Sequence, residues 1–276
     1  MPTAIKAFVF DWAGTMVDFG CMAPVRALQA AFAEHRIELT EAEARADMGM
    51  AKRAHIAAIL GRQPLRERFR AAWDRLPDAS DIDTLFAAVE PRMIEAAADC
   101  AMLIDGAADL ARQLKASGVK IGSGTGYSRS MMGAILREAE AQGYKPDVVI
   151  CAGETAEGRP SPLMAWKALV ELGAWPARAC VKVDDAAVGI SEGREAGMWT
   201  IGLAASGNGV GLTRAAFDAL AEDDRRGRVA HSAQALQAAG ADYVVSSVAD
   251  IAGLLGELET RIAAGERPGV TTVLRL

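Results

Sequence analysis

The feature that most constrains this chain is a recurring one. Short apolar runs each end in a polar or glycine-rich turn, and a helix-like stretch precedes the next run. The runs fall at 7–10, 119–122, 148–151, 180–183, 200–203 and 243–245. Helix-like stretches at 107–116, 130–142, 162–172 and 191–196 separate most of them. Strands alternating with helices imply a parallel sheet whose two faces are both covered. The fold expected is therefore α/β, a doubly wound parallel sheet of Rossmann-like form. Ligand sites in such sheets lie at the carboxyl ends of the strands.

Residues 22–98 break that rhythm. They are rich in alanine, arginine and glutamate and hold no convincing strand. Amphipathic helices are expected at 23–35, 51–60, 64–76 and 82–98. This organisation reads as a core domain of 1–21 and 99–276, with a helical cap domain of 22–98 inserted just after the first strand. A chain of 276 residues has room for both. The charged run 222–228 reads as a solvated helix end or loop. The tail after Gly265 reads as peripheral.

Composition narrows the class. The formal charge of −6 argues against a nucleic-acid partner, which usually needs a basic face. Cys21, Cys100, Cys151 and Cys180 are scattered, without metal-ligand spacing, and read as reduced thiols. No apolar run approaches the roughly 18 residues of a membrane helix. The first residues lack the pattern of a secretory signal. A cytoplasmic protein without membrane partners is the expectation.

Four positions carry the chemistry. Phe8-Val9-Phe10-Asp11-Trp12-Ala13-Gly14-Thr15 places Asp11 at the end of a buried strand, with a glycine turn after it. A carboxylate there can attack an electrophile such as phosphorus. Thr125, in Gly122-Ser123-Gly124-Thr125-Gly126-Tyr127, can hold phosphoryl oxygens beside backbone N–H groups. Arg159, in Glu157-Gly158-Arg159-Pro160, can offset phosphoryl charge and orient Asp11. Asp184 and Asp185 end the 180–183 run, and Asp185 with Asp11 would bind Mg²⁺, a hard cation that prefers oxygen. In a parallel sheet these strand ends share one edge.

The order and spacing of these residues resemble the haloacid dehalogenase superfamily and, within it, the phosphonoacetaldehyde hydrolase (phosphonatase) family. Further matching segments are Gly20-Cys21-Met22-Ala23-Pro24, Met48-Gly49-Met50-Ala51-Lys52-Arg53-Ala54-His55, Glu192-Gly193-Arg194-Glu195-Ala196-Gly197-Met198-Trp199-Thr200 and Gly211-Leu212-Thr213. The resemblance implies that Lys52 is the family's imine-forming lysine, its amine freed by burial or by positive neighbours such as Arg53. It implies that His55 handles a proton or orients its surroundings. It places Cys21, Met48, Gly49 and Tyr127 near the substrate, and the Ala13 carbonyl among the metal ligands. It also implies a homodimer joined through the cap.

Two departures matter. Many aspartate-based phosphotransferases carry a second acid two residues after the nucleophile, to protonate a leaving oxygen; Ala13 stands there. A carbon leaving group drained by an imine needs no such proton, so Ala13 fits a phosphonate substrate. After Asp185 the chain reads Ala186-Ala187-Val188-Gly189, where the superfamily commonly has a polar residue and then an acid. Asp184 is extra and could supply an acidic contact through water. An ordinary phosphate-ester hydrolase or phosphomutase, and a catalytically idle binding protein, are the alternatives.

Overall fold

The apolar runs lie side by side because none has a polar face to leave in water. In the computed structural model they form β1 (Ala7–Phe10), β2 (Lys120–Gly124), β3 (Val148–Ile150), β4 (Cys180–Asp184), β5 (Trp199–Leu203) and β6 (Tyr243–Val245). A seventh strand, β7 (Val273–Arg275), adds an edge. Residues 3–270 and 272–276 are described, with the side chains of all but 97–99; Met1, Pro2 and the side chains at the expected domain boundary lie outside the described residues.

All seven strands are parallel, in the order β3-β2-β1-β4-β5-β6-β7. The chain steps outward from β1 to β3, then crosses back to place β4 on the other side of β1. That reversal makes the gap between β1 and β4 the switch point where such sheets hold ligands. Register aligns the strand ends, since Phe10 pairs with Ser123 on one side and Val183 on the other.

Alternate residues of β1 feed two separate cores. Phe8 and Phe10 pack with residues such as Leu110 and Leu114, whereas Ala7 and Val9 pack with Met164, Ala168 and Met198. The covering helices are α6 (Ala107–Ala116), α7 (Arg129–Ala141), α8 (Leu163–Leu172), α9 (Ala187–Glu195), α10 (Arg214–Asp218), α11 (Glu222–Ala238) and α12 (Leu255–Ala263). The charged run 222–228 forms the first turns of α11, its acidic residues Glu222, Asp223 and Asp224 favouring the positive helix start.

Between β1 and β2 lie α1 (Met22–Glu34), α2 (Glu41–Arg45), α3 (Lys52–Gly61), α4 (Gln63–Trp73) and α5 (Ala79–Cys100), with no strand among them. Leu85, Val89 and Met93 line one face of α5 at a spacing of one helical turn, and all three are buried. Reciprocal side-chain caps at Thr40 and Asp78 start α2 and α5. Among the described residues, no helix is long and apolar enough to cross a membrane.

The tail corrects one expectation. It is not merely peripheral, because Val273–Arg275 pairs in parallel with β6 through backbone hydrogen bonds. Three residues show no periodicity, and backbone pairing leaves no mark on side-chain pattern. The five-residue α2 is likewise too short to show a helical period.

Candidate active site

Asp11 stands one residue past β1, and its backbone N–H donates to Val183 O at 3.0 Å, which fixes it level with the end of β4. The side chain is buried, and its Oδ1 accepts from Arg159 Nη1 at 2.6 Å. Arg159 uses its whole fork. Nε donates to Glu192 Oε2 at 2.9 Å, Nη2 to Gly124 O at 2.8 Å, and Nη1 also reaches Gly49 O of the helical insertion at 3.4 Å. One guanidinium thus ties Asp11, the end of β2, α9 and the insertion together.

Thr125 follows β2, its N–H donating to Ile150 O at 3.0 Å. Its hydroxyl oxygen accepts from the Tyr127 N–H at 3.2 Å. That contact leaves the hydroxyl proton available to a phosphoryl oxygen.

At the end of β4, one oxygen each from Asp11, Asp184 and Asp185 lie within 4.8 Å of one another. Asp185 Oδ2 accepts from the Asn208 N–H at 2.7 Å and from Cys21 Sγ at 3.3 Å, and its Oδ1 accepts from Thr15 Oγ1 at 3.3 Å. Asp184 Oδ1 accepts from the Ala186 N–H at 3.1 Å. Among the described residues its Oδ2 has no hydrogen-bond donor. Lys182 Nζ stands 3.0 Å from that oxygen and 3.0 Å from Glu192 Oε2, close enough to pair ionically but off the hydrogen-bonding line. When ionised, Asp11, Asp184, Asp185 and Glu192 outnumber Arg159 and Lys182 by two charges. Burial, with repulsion from neighbouring carboxylates, pushes Asp11 and Asp185 above the usual carboxylate range. A dication relieves both the repulsion and the surplus charge, and Asp184 Oδ2, held by ion pairs alone among the described residues, adds an acceptor. The residues present fit a hard, oxygen-seeking divalent cation.

The acid absent at position 189 has a counterpart in space. A Cβ on Gly189 would lie 1.9 Å from Asp184 Oδ2. The Asp184 carboxylate fills the volume into which a side chain at 189 would grow, so the two cannot coexist in this arrangement.

The opposite wall comes from the insertion. Lys52 opens α3 and is 3 % exposed. Its Nζ lies 3.8 Å from Met48 Sδ and 5.3 Å from the Tyr127 ring centroid. Among the described residues no carboxylate forms an ion pair with it. Burial brings its pKa down to about 8; Arg159 acts in the same direction, while Cys21 and Asp11 oppose. The expected helper Arg53 is not involved. It is exposed and pairs with Asp83 at 2.7 Å, because residues adjacent along a helix point to different faces.

His55 is fully buried, with Nε2 2.6 Å from Ala46 O and Nδ1 without a hydrogen-bond partner among the described residues. Burial, then the neighbouring Lys52 charge, brings its pKa down to about 3, so the ring is neutral. It stands behind the pocket and braces α3 against the preceding loop, a placement suited to orienting rather than to proton transfer.

Asp11, Ala13, Cys21, Met48, Gly49, Lys52, Thr125, Tyr127 and Asp185 line one pocket between the sheet edge and the insertion. Burial and nearby carboxylates push the Cys21 thiol and the Tyr127 phenol well up, so both keep their protons. Arg159, Asp184 and His55 stand behind this surface. Lys182, Glu192 and Asn208 were not singled out from the sequence. Lys182 did leave a signal, a charge inside the buried run Cys180-Val181-Lys182-Val183, which demands partners.

The family of haloacid dehalogenase-like hydrolases matches residues 5–197. A curated protein named phosphonoacetaldehyde hydrolase, from Paraburkholderia xenovorans strain LB400, is 44% identical over 264 residues, covering 96% of this chain and 99% of its own. One of the same name from Salmonella gallinarum is 44% identical over 271 residues, covering 97% and 100%. The crystal structure of a phosphonoacetaldehyde hydrolase-like protein from Oleispira antarctica has a TM-score of 0.95 at 39% identity, covering 97% of each chain.

Proposed function

We infer the reaction from a plain premise: the chain belongs to the haloacid dehalogenase-like hydrolases and, within them, to the phosphonoacetaldehyde hydrolase family. Its substrate is 2-phosphonoacetaldehyde, and its products are acetaldehyde and phosphate. The observation that carries this reading is Lys52, a buried amine with a lowered pKa, opening into the same pocket as Asp11.

A carbon–phosphorus bond resists cleavage because the departing carbon must keep the electron pair. The neutral Lys52 amine adds to the aldehyde carbon, and the adduct takes up one proton from solvent and loses water, giving a protonated imine. An Asp11 oxygen then attacks phosphorus, and the carbon–phosphorus pair moves into the imine. The carbon departs as a neutral enamine, so no acid is needed where Ala13 stands. Thr125 and Arg159 hold the phosphoryl oxygens as charge shifts among them. Water hydrolyses the aspartyl-phosphate to phosphate and Asp11. Protonation of the enamine carbon and hydrolysis of the resulting imine return acetaldehyde and Lys52.

Met48 presents a soft thioether to the amine without supplying a charge that would hold its proton. Tyr127 keeps its proton and is a donor beside the imine, while Cys21 keeps its own and donates it to Asp185. Gly49 seats the insertion on Arg159. Asp11, Asp185 and the Ala13 carbonyl would hold Mg²⁺, with Asp184 contributing from behind. When bound, the ion offsets the repulsion between a carboxylate and an anionic phosphonate. The helical insertion is taken as a cap domain of 22–98, the enzyme as cytoplasmic, and its assembly as a homodimer joined through the cap, which a sizing measurement checks.

Purified protein given phosphonoacetaldehyde with Mg²⁺ is expected to release acetaldehyde and phosphate in equal amounts, and chelation is expected to stop both. Hydrolysis of simple phosphate esters with the aldehyde left intact would overturn the reading.

A further inference from the structure

Arg45 ends α2 of the insertion, yet most acceptors of its guanidinium belong to the core. Nη1 donates to Gly20 O at 2.8 Å and to Asn208 Oδ1 at 3.2 Å, and Nη2 donates to Gly211 O at 2.8 Å. The side chain is 12% exposed, and its one ion-pair partner, Glu41, is itself exposed. The contact is reciprocal, because Asn208 Nδ2 donates to the Arg45 carbonyl at 3.0 Å. Gly211 adopts φ +67°, and a Cβ there would lie 2.7 Å from Arg45 Nε. The guanidinium therefore fills the space a side chain would need.

Asn208 also reaches the pocket. Its backbone N–H is the 2.7 Å donor to Asp185 Oδ2. One residue thus grips the insertion through its side chain and a pocket carboxylate through its main chain. The linker into the insertion joins the same loop, with the Gly20 N–H donating to Ser206 O at 2.8 Å.

We propose that Arg45 and Asn208 form a clasp that sets Asp185 in place only while the insertion is shut over the pocket. Lifting α2 takes three core acceptors from Arg45 together and strips the Asn208 side chain of its partners. The loop then loses the constraint that aims the Asn208 N–H at Asp185. Lys52 and the Asp185 side of the pocket are assembled by the same closure. Both clasp members are positioning residues, and the activity readout rests on the reaction proposed above.

The test is a double-mutant cycle of Arg45→Ala and Asn208→Ala, with Arg45→Lys as a variant that keeps the charge but not the fork. Each alanine variant is expected to lower kcat/KM for phosphonoacetaldehyde, and to weaken Mg²⁺ binding by calorimetry on substrate-free protein, by about 10–100-fold. Because the residues act as a unit, the double variant is expected within about threefold of the worse single one. Hydrogen exchange in α2 and α3 of the substrate-free variants is expected to quicken, with Arg45→Lys intermediate throughout. Effects that multiply in the double variant overturn the clasp. So does unchanged Mg²⁺ affinity, or unchanged exchange in α2 and α3; Arg45→Lys decides if an alanine variant does not fold. Wild-type protein inactive on the aldehyde would sink the proposed reaction, while calorimetry and exchange would still judge the clasp.

Discussion

On the sheet side of the pocket, Arg159 places a donor on each of four elements, and Asp11, Asp184 and Glu192 all have a cation within 3.5 Å. On the insertion side, Lys52 has a thioether, an aromatic face and, among the described residues, no paired carboxylate. The first wall keeps ionised groups fixed by giving them partners. The second keeps an amine reactive by withholding them. The proposed reaction needs both, because in it the carboxylate attacks as an anion while the lysine attacks as a neutral base.

Substitutions that silence one wall should leave the other working. The largest effect is expected from Asp11→Asn, with a loss in kcat of at least about 10⁴-fold, or about 5.5 kcal/mol in barrier. That variant should still form the Lys52 imine, seen as a reducible adduct; absence of the adduct would mean the walls do not act separately. Lys52→Arg is expected to lose at least about 10³-fold, about 4 kcal/mol, while binding Mg²⁺ as the wild type does. Retained turnover of the aldehyde would count against the imine.

The network behind the sheet wall is tested by stability. Lys182→Met removes one of the two cations that Asp184 and Glu192 share and is expected to cost about 3–5 kcal/mol in urea unfolding. A neutral result would show that Arg159 alone balances the site. The smallest effect is in pH. Burial lowers the Lys52 pKa to about 8, so the amine is neutral above that pH and charged below it. The rate kcat/KM should therefore fall about tenfold for each unit below that midpoint, and Arg53→Ala should leave the limb in place. A limb near 10.5, the ordinary lysine value, would show that the pocket does not withhold partners as described.

The two walls were not equally legible in the sequence. Asp11, Thr125 and Asp185 declare themselves because each interrupts or follows an apolar run, and parallel strands bring such ends to one edge. Lys52 stood out only through its resemblance to the family, since a lysine at a helix start is ordinarily a surface charge. Its local neighbours misled, as Arg53 lies next to it in sequence and faces solvent. Glu192 lies 33 positions from the Arg159 it holds, a separation no local pattern spans. Asn208 acts on Asp185 through a backbone N–H that every residue but proline possesses, so its identity gives no hint. Gly189 reads as a lost acid until distances show the Asp184 carboxylate in its place.

The most direct measurement is reductive trapping. Wild-type protein treated with borohydride in the presence of phosphonoacetaldehyde, then digested and mapped by mass spectrometry, should carry a stable alkyl adduct on Lys52 and lose activity in proportion. Lys52 recovered unmodified from an enzyme that was turning over the aldehyde would contradict the account.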